Sequence, residues 1–336
     1  MVTQAQIARK LGVSRQLVTF ALSGYPQISR ESRERILAAA KEMGYQPNPY
    51  ARALRKGRSG IIGLWIPDQI STHYTHVARE LNRLVKAARH ELIVSEVSLA
   101  EDQQMLSHVP MDGIFVVDAP EQAEIYQTSS ATVKVPIISM GADCSDNTDS
   151  VQVDLAAGVL EVMEHLIHSG FRRIAHATFV REESPRAGRR LGYVKAMRKA
   201  KLKSEFIYYP LTEQQRVITR PLIQDYIREN GCPDAIFCHS DDVALGIYRG
   251  LCDMKLRVPE DVVLVGCDGI QDTEYLECQI TTLVQPVAAM CATAWQFLVQ
   301  RMEQAPTKLQ QAKLKPKLVI RDSSVRVNCR PDVHQA

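Results

Sequence analysis

From Gly60 to about residue 330 the chain alternates short apolar runs with longer amphipathic ones, and this alternation constrains the fold more than any other feature. Runs such as IIGLWIP and VVLVGCDG are strand-like, whereas VARELNRLVKAARHE and LEVMEHLIHSG repeat apolar residues at helical spacing. Such alternation is typical of doubly wound parallel sheets with helices on both faces, an α/β class. The length of this region predicts two such lobes.

The composition is that of a globular protein, with 45% hydrophobic and 24% charged residues in 336. No apolar run approaches the roughly 20 residues of a membrane span, and the start MVTQAQIARKLG has no secretory leader, so we expect a cytoplasmic protein without membrane association. The eight cysteines form no C-x-x-C pair, and several lie in apolar runs. This predicts buried free thiols, with no disulfide, metal site or cofactor.

Positive charge is concentrated at the N-terminus. Residues 1–59 contain eleven Lys and Arg and three acidic residues, a net charge of +8 that leaves −5 for the rest of a chain whose total is +3. A small basic module joined to a larger acidic body predicts a polyanionic partner for the module alone. The alternative is a solvated basic face without a partner.

Capping residues divide the N-terminal module into three short helices. Thr3 is placed to cap a first helix that Gly12 ends, and Ser14 to cap a second. A third helix is predicted between Ser29 and a stop at Gly44. Three short helices in a basic segment of this length are typical of a helix-turn-helix module.

In the second predicted helix, Arg15, Gln16, Thr19 and Phe20 share the outer face. In a helix-turn-helix the first residues of the second helix meet base edges in the major groove of DNA. Arg and Gln side chains can bind guanine and adenine bidentately, so double-stranded DNA is the predicted partner. The alternative is a helical bundle that only docks on the rest of the chain.

The run TQAQIARKLGVSRQLVTFALSG, followed by ISRESRERILAAAKEMGYQPNPYARALRKGRS, resembles the DNA-binding head and hinge of the lactose-repressor (LacI/GalR) family. The resemblance implies base-reading roles for Arg15, Gln16 and Phe20. It places Thr3, Ser14, Thr19 and Ser29 near phosphates. Phe20 stands where most members have Arg or a similar polar residue, and Leu17 replaces the usual Thr; Phe20 can still contact a thymine methyl group.

The segment PNPYARALRKGRS, residues 47–59, resembles the hinge of the same family. There the hinge forms a helix in the minor groove, and a leucine pair from two subunits wedges a base step open. The resemblance assigns DNA contacts to Asn48, Ala51 and Leu54, with Asn48 at the helix start and Leu54 as the wedge. The alternative is a plain flexible tether.

Segments of the remaining chain, including DGIFVV, GRRLGY, SDDVALG and VPEDVVLVGCD, are similar to the two-lobed, periplasmic-binding-protein-like effector core of this family. Ligands in open α/β sheets bind beyond the carboxyl ends of strands. The resemblance implies that an effector binds there to His73, Tyr74, Arg189, Ser240 and Asp268. An Asp and an Arg that face each other across a cleft can bind sugar hydroxyls bidentately from both sides, and we expect this arrangement for Arg189 and Asp268.

Alternatives remain for several of these residues. Asp268 could be a helix cap or belong to a structural ion pair, and His73 and Tyr74 could be ordinary surface residues. Asp241 is interpreted as the cap of the helix DVALGIYRGL.

The resemblance also divides the chain. It implies a head at 1–46, a hinge at 47–59, a first lobe at 60–153 plus 287–317, a second lobe at 154–286 plus 318–330, and a tail at 331–336. Crossings near Asp154, Pro286 and Leu318 would allow the lobes to close around a ligand.

These features together predict a transcriptional repressor that binds a pseudo-palindromic operator as a homodimer and responds to a sugar, sugar acid or sugar phosphate. His73, Arg189 and Arg216 favour an anionic effector. An enzyme is disfavoured because G-x-G-x-x-G, G-x-x-x-x-G-K-[ST] and G-x-S-x-G are absent, so no catalytic residue is assigned. A two-lobed sugar-binding protein without a transcriptional role would lack the basic head.

Overall fold

The computed structural model describes residues 2–45, 58–97, 110–128, 135–181, 187–212, 214–303 and 308–325. The chain divides into two compact units, Met1–Ser59 and Gly60–Ala336, which we term the head and the core. Within the described segments, no helix combines the length and the apolar character that crossing a bilayer requires.

The head contains the three predicted helices, α1 (Gln4–Leu11), α2 (Arg15–Leu22) and α3 (Arg30–Glu42). Thr3 caps α1 in a reciprocal arrangement, because its hydroxyl accepts from the Gln6 amide and the Gln6 side chain accepts from the Thr3 amide at 2.8 Å. Gly12 ends this helix with φ of 65°. The fully buried Val18 of α2 packs with apolar residues of the other two helices, so the apolar stripes read from the sequence meet in one small core.

The described part of the core contains twelve strands. They are β1 (Ile61–Ile66), β2 (Glu91–Glu96), β3 (Gly113–Val117), β4 (Ile137–Gly141), β5 (Asp149–Val153), β6 (Ile174–Thr178), β7 (Glu205–Tyr208), β8 (Ala235–Cys238), β9 (Val263–Asp268), β10 (Thr281–Val284), β11 (Gln311–Leu314) and β12 (Lys317–Val319). The first sheet has the order β11-β5-β4-β3-β1-β2 and the second β12-β10-β9-β8-β6-β7.

All pairings are parallel except that of β12 with β10. The core helices are α4 (Thr72–Ala87), α5 (Pro120–Thr128), α6 (Leu155–His168), α7 (Gly188–Lys199), α8 (Gln215–Asn230), α9 (Asp241–Asp253) and α10 (Val287–Glu303). Helices α4, α5 and α10 pack with the first sheet and α6 to α9 with the second, so each sheet and its helices form one lobe. The α/β fold class is therefore confirmed, with one antiparallel edge strand as an exception.

The chain passes between the lobes at three places: Asp154 after β5, Gln285–Pro286 after β10, and Lys315–Pro316 between β11 and β12. Two of these segments are bonded to each other, because the Asp154 amide donates to the Leu314 carbonyl at 2.8 Å and its carboxylate pairs with Lys313 at 2.9 Å. These three short crossing segments form an interlobe hinge, about which the lobes can close.

Free thiols are present at the described cysteines, but their burial is not uniform. Cys144, Cys238, Cys267 and Cys291 are buried, whereas Cys232 and Cys278 are half-buried. The expectation of buried thiols is wrong for Cys252, which is exposed because it lies on the outer face of α9.

Candidate functional site

Arg15 and Gln16 are exposed at the first turn of α2. Ser14 caps this helix by accepting from the Leu17 amide at 3.1 Å, and no acidic residue lies in the first turn. Neither side chain makes a hydrogen bond or ion pair within the described part of the head. Two long polar side chains are thus available at the positive end of a helix, where an anionic ligand is favoured.

The outer face of α2 continues with an aromatic pair. Gly24 has φ of 74°, the Tyr25 amide donates to the Phe20 carbonyl at 3.1 Å, and the Gly24 amide donates to that of Ala21 at 3.3 Å. This Schellman ending brings the Tyr25 ring onto Phe20, with centroids 4.8 Å apart and planes 25° apart. Tyr25 was not predicted to belong to this face, although a glycine stop followed by an aromatic residue was the available signal.

The residues predicted to lie near phosphates make hydrogen bonds within the head. Thr19 lies partly buried, and its hydroxyl reaches Gln4 Oε1 at 2.8 Å and the Arg15 carbonyl at 3.0 Å. Thr3, Ser14 and Ser29 cap the three helices. Helix N-termini offer backbone N–H groups to phosphates, so the chemistry expected at these three places comes from the backbone as well as from the hydroxyls.

The hinge residues Asn48, Ala51 and Leu54 lie outside the described residues. Their assigned roles therefore remain predictions.

A cavity of about 720 Å³ is lined by both lobes of the core. Its walls come mainly from the carboxyl ends of strands and the helices that follow them, as in other open α/β sheets. All five residues predicted to hold an effector line it: His73, Tyr74, Arg189, Ser240 and Asp268. The charged residues that also line it are Asp68, Glu96, Asp118, Asp143 and Arg190.

Arg189 and Asp268 form an ion pair inside this cavity. Arg189 Nη2 donates to Asp268 Oδ1 at 3.0 Å, and Gln285 Nε2 donates to the same oxygen at 2.8 Å. The two side chains are only 14% and 6% exposed. Burial alone would lower the pKa of Arg189, but its neighbours Cys267 and Asp268 raise it, so the guanidinium stays charged.

The expectation that Arg189 and Asp268 face each other across the cleft is wrong. Both belong to the second lobe, since Arg189 begins α7 and Asp268 ends β9, and these two ends meet at one edge of the second sheet. The structural ion pair that the sequence left open is present, and it does not exclude a ligand. Arg189 and Asp268 both still line the cavity.

His239 was not predicted and lies against this pair. Arg189 Nη1 is 3.4 Å from its Nε2, and its Nδ1 is 3.3 Å from the Thr178 hydroxyl. Because arginine can only donate, Nε2 must accept, which assigns the proton to Nδ1. Burial, then Arg189 and His176, lowers the pKa of His239 well below its usual value, so the ring is neutral. Its place directly after β8 was the sequence signal.

His73 and Tyr74 reach the cavity from the first turn of α4. The Tyr74 hydroxyl donates to Asp118 Oδ2 at 3.2 Å, and burial followed by Asp118 raises its pKa. His73 is 4% exposed, and its Nε2 has no hydrogen-bond partner in the described structure. The surface-packing alternative is therefore wrong, because both rings are enclosed by the cavity wall. A buried imidazole nitrogen without a partner is what a ligand hydroxyl would satisfy.

Ser240, which lines the cavity, is also the residue that caps α9, and Asp241 has a different role. Ser240 caps α9 by accepting from the Val243 amide at 3.2 Å and donates to Gln215 Oε1 at 2.9 Å. Asp241 is fully buried and accepts from the amides of Gly269 and Ile270 and from the Thr282 hydroxyl. It therefore ties the end of β9 to β10, and the assignment of Asp241 as the helix cap is wrong.

The cavity carries more negative than positive groups. Its described lining has five carboxylates, Asp68, Glu96, Asp118, Asp143 and Asp268, and two guanidinium groups. Both guanidinium groups are engaged, since Arg190 donates to Tyr208 Oη at 3.1 Å and stacks over the Phe206 ring at 4.1 Å. Arg216, which suggested an anionic effector, does not line the cavity and pairs with Asp242 at 2.7 Å. Among the described residues, no group of three His, Cys, Asp or Glu could hold a metal ion.

Two families match this chain. Residues 4–48 match the family described as "Bacterial regulatory proteins, lacI family", and residues 163–324 match the "Periplasmic binding protein-like domain". The first match covers α1 to α3, and the second covers most of the second lobe.

Curated relatives span nearly the whole chain. The ribose operon repressor of Haemophilus influenzae is 27% identical over 333 residues, which is 96% of this chain and 98% of that protein. The HTH-type transcriptional repressor PurR of Escherichia coli is 25% identical over 330 residues, covering 96% and 97%. Among solved structures, a lac repressor dimer bound to operator and the anti-inducer ONPF superposes with a TM-score of 0.79 at 23% identity, covering 97% and 99%.

Proposed function

The chain belongs to the lacI family of bacterial regulatory proteins, and we propose that it is a transcriptional repressor whose operator affinity is controlled by a small effector bound between the lobes of its core. The observation that carries the DNA-binding half is the pair of exposed polar side chains, Arg15 and Gln16, which have no partner among the described residues and lie at the start of a capped helix in a basic unit. The proposal includes a homodimer, a pseudo-palindromic operator and a cytoplasmic location, where the DNA would be reached.

We assign base reading to Arg15, Gln16 and Phe20. The first two would bind guanine and adenine edges bidentately, and the Phe20 ring, supported by Tyr25, would contact a thymine methyl group. Thr3, Ser14 and Ser29 would bring helix N-termini to phosphates, whereas Thr19 supports the helix through Gln4. Asn48, Ala51 and Leu54 are proposed to contact the minor groove, with Leu54 as the wedge.

The effector is proposed to be a neutral polyhydroxy compound such as a sugar. The balance of five carboxylates to two engaged guanidinium groups would repel a phosphate or carboxylate, and carboxylate oxygens accept readily from ligand hydroxyls. His73 Nε2, which has no hydrogen-bond partner in the described part of the chain, would supply one further polar contact. This chemistry agrees with the ribose that the name of one relative mentions.

Effector binding is proposed to alter DNA affinity through the hinge between the lobes. The lining residues come from both lobes, so a ligand that touches both favours one arrangement of them. By linkage, the factor by which effector changes operator affinity must equal the factor by which operator changes effector affinity. The relatives are DNA-binding repressors, and we propose that this chain likewise has no catalytic activity.

The test begins by selecting tight-binding duplexes from a randomised library with the full chain. A pseudo-palindromic consensus supports the proposal, and binding without sequence preference contradicts it. Thermal shift with D-ribose, D-gluconate and D-ribose 5-phosphate then tests the effector class. We expect stabilisation by the neutral sugar, and stabilisation by the anionic compounds alone would overturn the assignment of a neutral ligand.

A further inference from the structure

Three residues outside the cavity lining join the two lobes. Thr72 is the first residue of α4 in the first lobe, whereas Arg216 and Asp242 lie at the starts of α8 and α9 in the second. Arg216 Nη2 donates to Thr72 Oγ1 at 3.0 Å, and its Nε donates to Asp242 Oδ1 at 2.7 Å. We term Thr72, Arg216 and Asp242 the clasp.

The clasp supplies what the start of α4 lacks. Ser71, the N-cap residue, makes no side-chain capping hydrogen bond, so the first amides of α4 have no cap from their own segment. Asp242 is only 13% exposed and brings a carboxylate of the other lobe to this helix start, where negative charge is favoured. Burial raises the pKa of Asp242, while Arg216 and the Thr72 amide act in the opposite direction.

The clasp is separate from the interlobe hinge formed by the crossing segments. None of its members belongs to the crossing segments at Asp154, Gln285–Pro286 and Lys315–Pro316, so it is a second attachment between the lobes. A hinge made of short segments leaves the lobes free to open, and a polar contact elsewhere shifts the equilibrium towards the arrangement in which it forms.

We propose that Arg216 and Asp242 are positioning residues for effector binding: by holding Thr72, they fix the start of α4 and keep the cavity assembled before the effector arrives. The inference rests on the proposed effector cavity. His73 and Tyr74 follow Thr72 directly on the same helical turn, so the position of Thr72 determines how far their rings reach towards Arg189 and Asp268. A cavity that is assembled in only a fraction of molecules binds its effector more weakly by that fraction.

The proposal is tested by amide hydrogen exchange on the full chain without ligand. Thr72→Val removes the hydroxyl but keeps the shape and the backbone amide, and Arg216→Ala removes the cation. We expect exchange in residues 68–80 to become about two- to tenfold faster in both variants, the range for a partly exposed charged hydrogen bond. Thr72→Ser keeps the hydroxyl and should exchange like the wild type.

Arg220→Ala is the matched control. Arg220 lies one turn further along α8 and pairs with Asp253 at 2.6 Å, within the second lobe. It should leave exchange at 68–80 unchanged. The double variant Thr72→Val/Arg216→Ala should exchange no faster there than Arg216→Ala alone, because both changes break the same contact.

Wild-type exchange at residues 68–80 in both Thr72→Val and Arg216→Ala would overturn the proposal. An equal acceleration in Arg220→Ala would also overturn it, since that result indicates general loosening of α8. These measurements need neither DNA nor effector. A failure of the proposed repressor function would instead be detected in the duplex selection, so the two failures are distinguishable.

Discussion

The head and the core place their candidate functional residues in opposite environments. Arg15 and Gln16 in the head are exposed and have no protein partner among the described residues. Arg189 and Asp268 in the core are buried and bonded to each other, with Gln285 and His239 around them. The head presents separate side chains on a short helix, whereas the core presents a network.

This difference follows from the two ligands proposed. DNA brings its own charge and its own groove, so the head needs only extended donors and acceptors on a rigid helix. A small effector must be desolvated on several sides, and the buried groups that hold it must satisfy one another when it is absent. Substitutions of Arg15 and Gln16 should therefore change binding alone, whereas those of Arg189 and Asp268 should change binding and stability together.

The largest effect is expected from Asp268→Ala. Removing this carboxylate leaves the Arg189 guanidinium buried without its counter-charge, which costs about 3 to 5 kcal/mol of unfolding free energy. Urea unfolding followed by tryptophan fluorescence measures it, because Trp65 and Trp295 both lie in the core. The exposed partner of Arg216, Asp272, is the control and should change stability by about 0.5 kcal/mol or less when replaced by Ala. A loss below about 1 kcal/mol in Asp268→Ala would contradict the network.

The second largest effect is expected on acidification, which should destabilise the core but not the head. Burial lowers the pKa of His176 to about 3 and that of His239 well below its usual value, so the folded core excludes protons that the unfolded chain binds below about pH 6.5. The stability that these two neutral histidines contribute is fully present above about pH 6.5 and is lost as the pH falls from there towards their lowered pKa values. From pH 7 to 5 the exclusion of a proton from His176 should cost about 2 kcal/mol of unfolding free energy, and His239 adds to this loss in the same direction. Residues 1–59 contain no histidine and should not share this loss.

The check is a series of urea unfolding curves between pH 7 and 5. His176→Gln should reduce the loss of unfolding free energy between pH 7 and 5 by about 2 kcal/mol, because the proton that this ring excludes no longer contributes. An unchanged dependence in this variant would show that other groups are responsible.

Arg15→Ala and Gln16→Ala should affect DNA recognition alone. Each should reduce discrimination between the selected duplex and random DNA by about 1 to 3 kcal/mol, measured by gel-shift competition at fixed salt. Arg9→Ala is the matched control, because it removes an exposed charge from α1 and should weaken binding to the selected duplex and to random DNA equally. If both α2 variants still discriminate fully between the two duplexes, the proposal that α2 binds in the major groove is wrong.

The smallest effect is expected at Tyr25. Losing its ring from the stack with Phe20 should destabilise the end of α2 by about 0.5 to 1.5 kcal/mol in Tyr25→Ala and by much less in Tyr25→Phe. Hydrogen exchange of residues 14–25 reports this difference. Equal exchange in the two variants would mean that the ring contributes nothing to the helix.

The sequence by itself determined the elements whose causes are local. Thr3, Ser14 and Ser29 cap the helices assigned to them, and Gly12 ends the first, because caps and stops depend on residues two to five positions away. The apolar strands and the strand ends that carry the cavity residues were also readable, since parallel sheets have one ligand-binding edge. Helix α8 and several edge strands were not predicted, because Pro221 and mixed polarity obscure the apolar pattern there.

Only the tertiary structure decided which side chains meet. Arg189 and Asp268 are 79 positions apart, and Arg216 and Thr72 are 144 apart. Nothing local distinguishes Ser240 as a cap from Asp241 as a buried brace, because both residue types cap helices well. The choice depends on the approach of Gly269 and Thr282 from other strands, which sets where a buried carboxylate can find three donors.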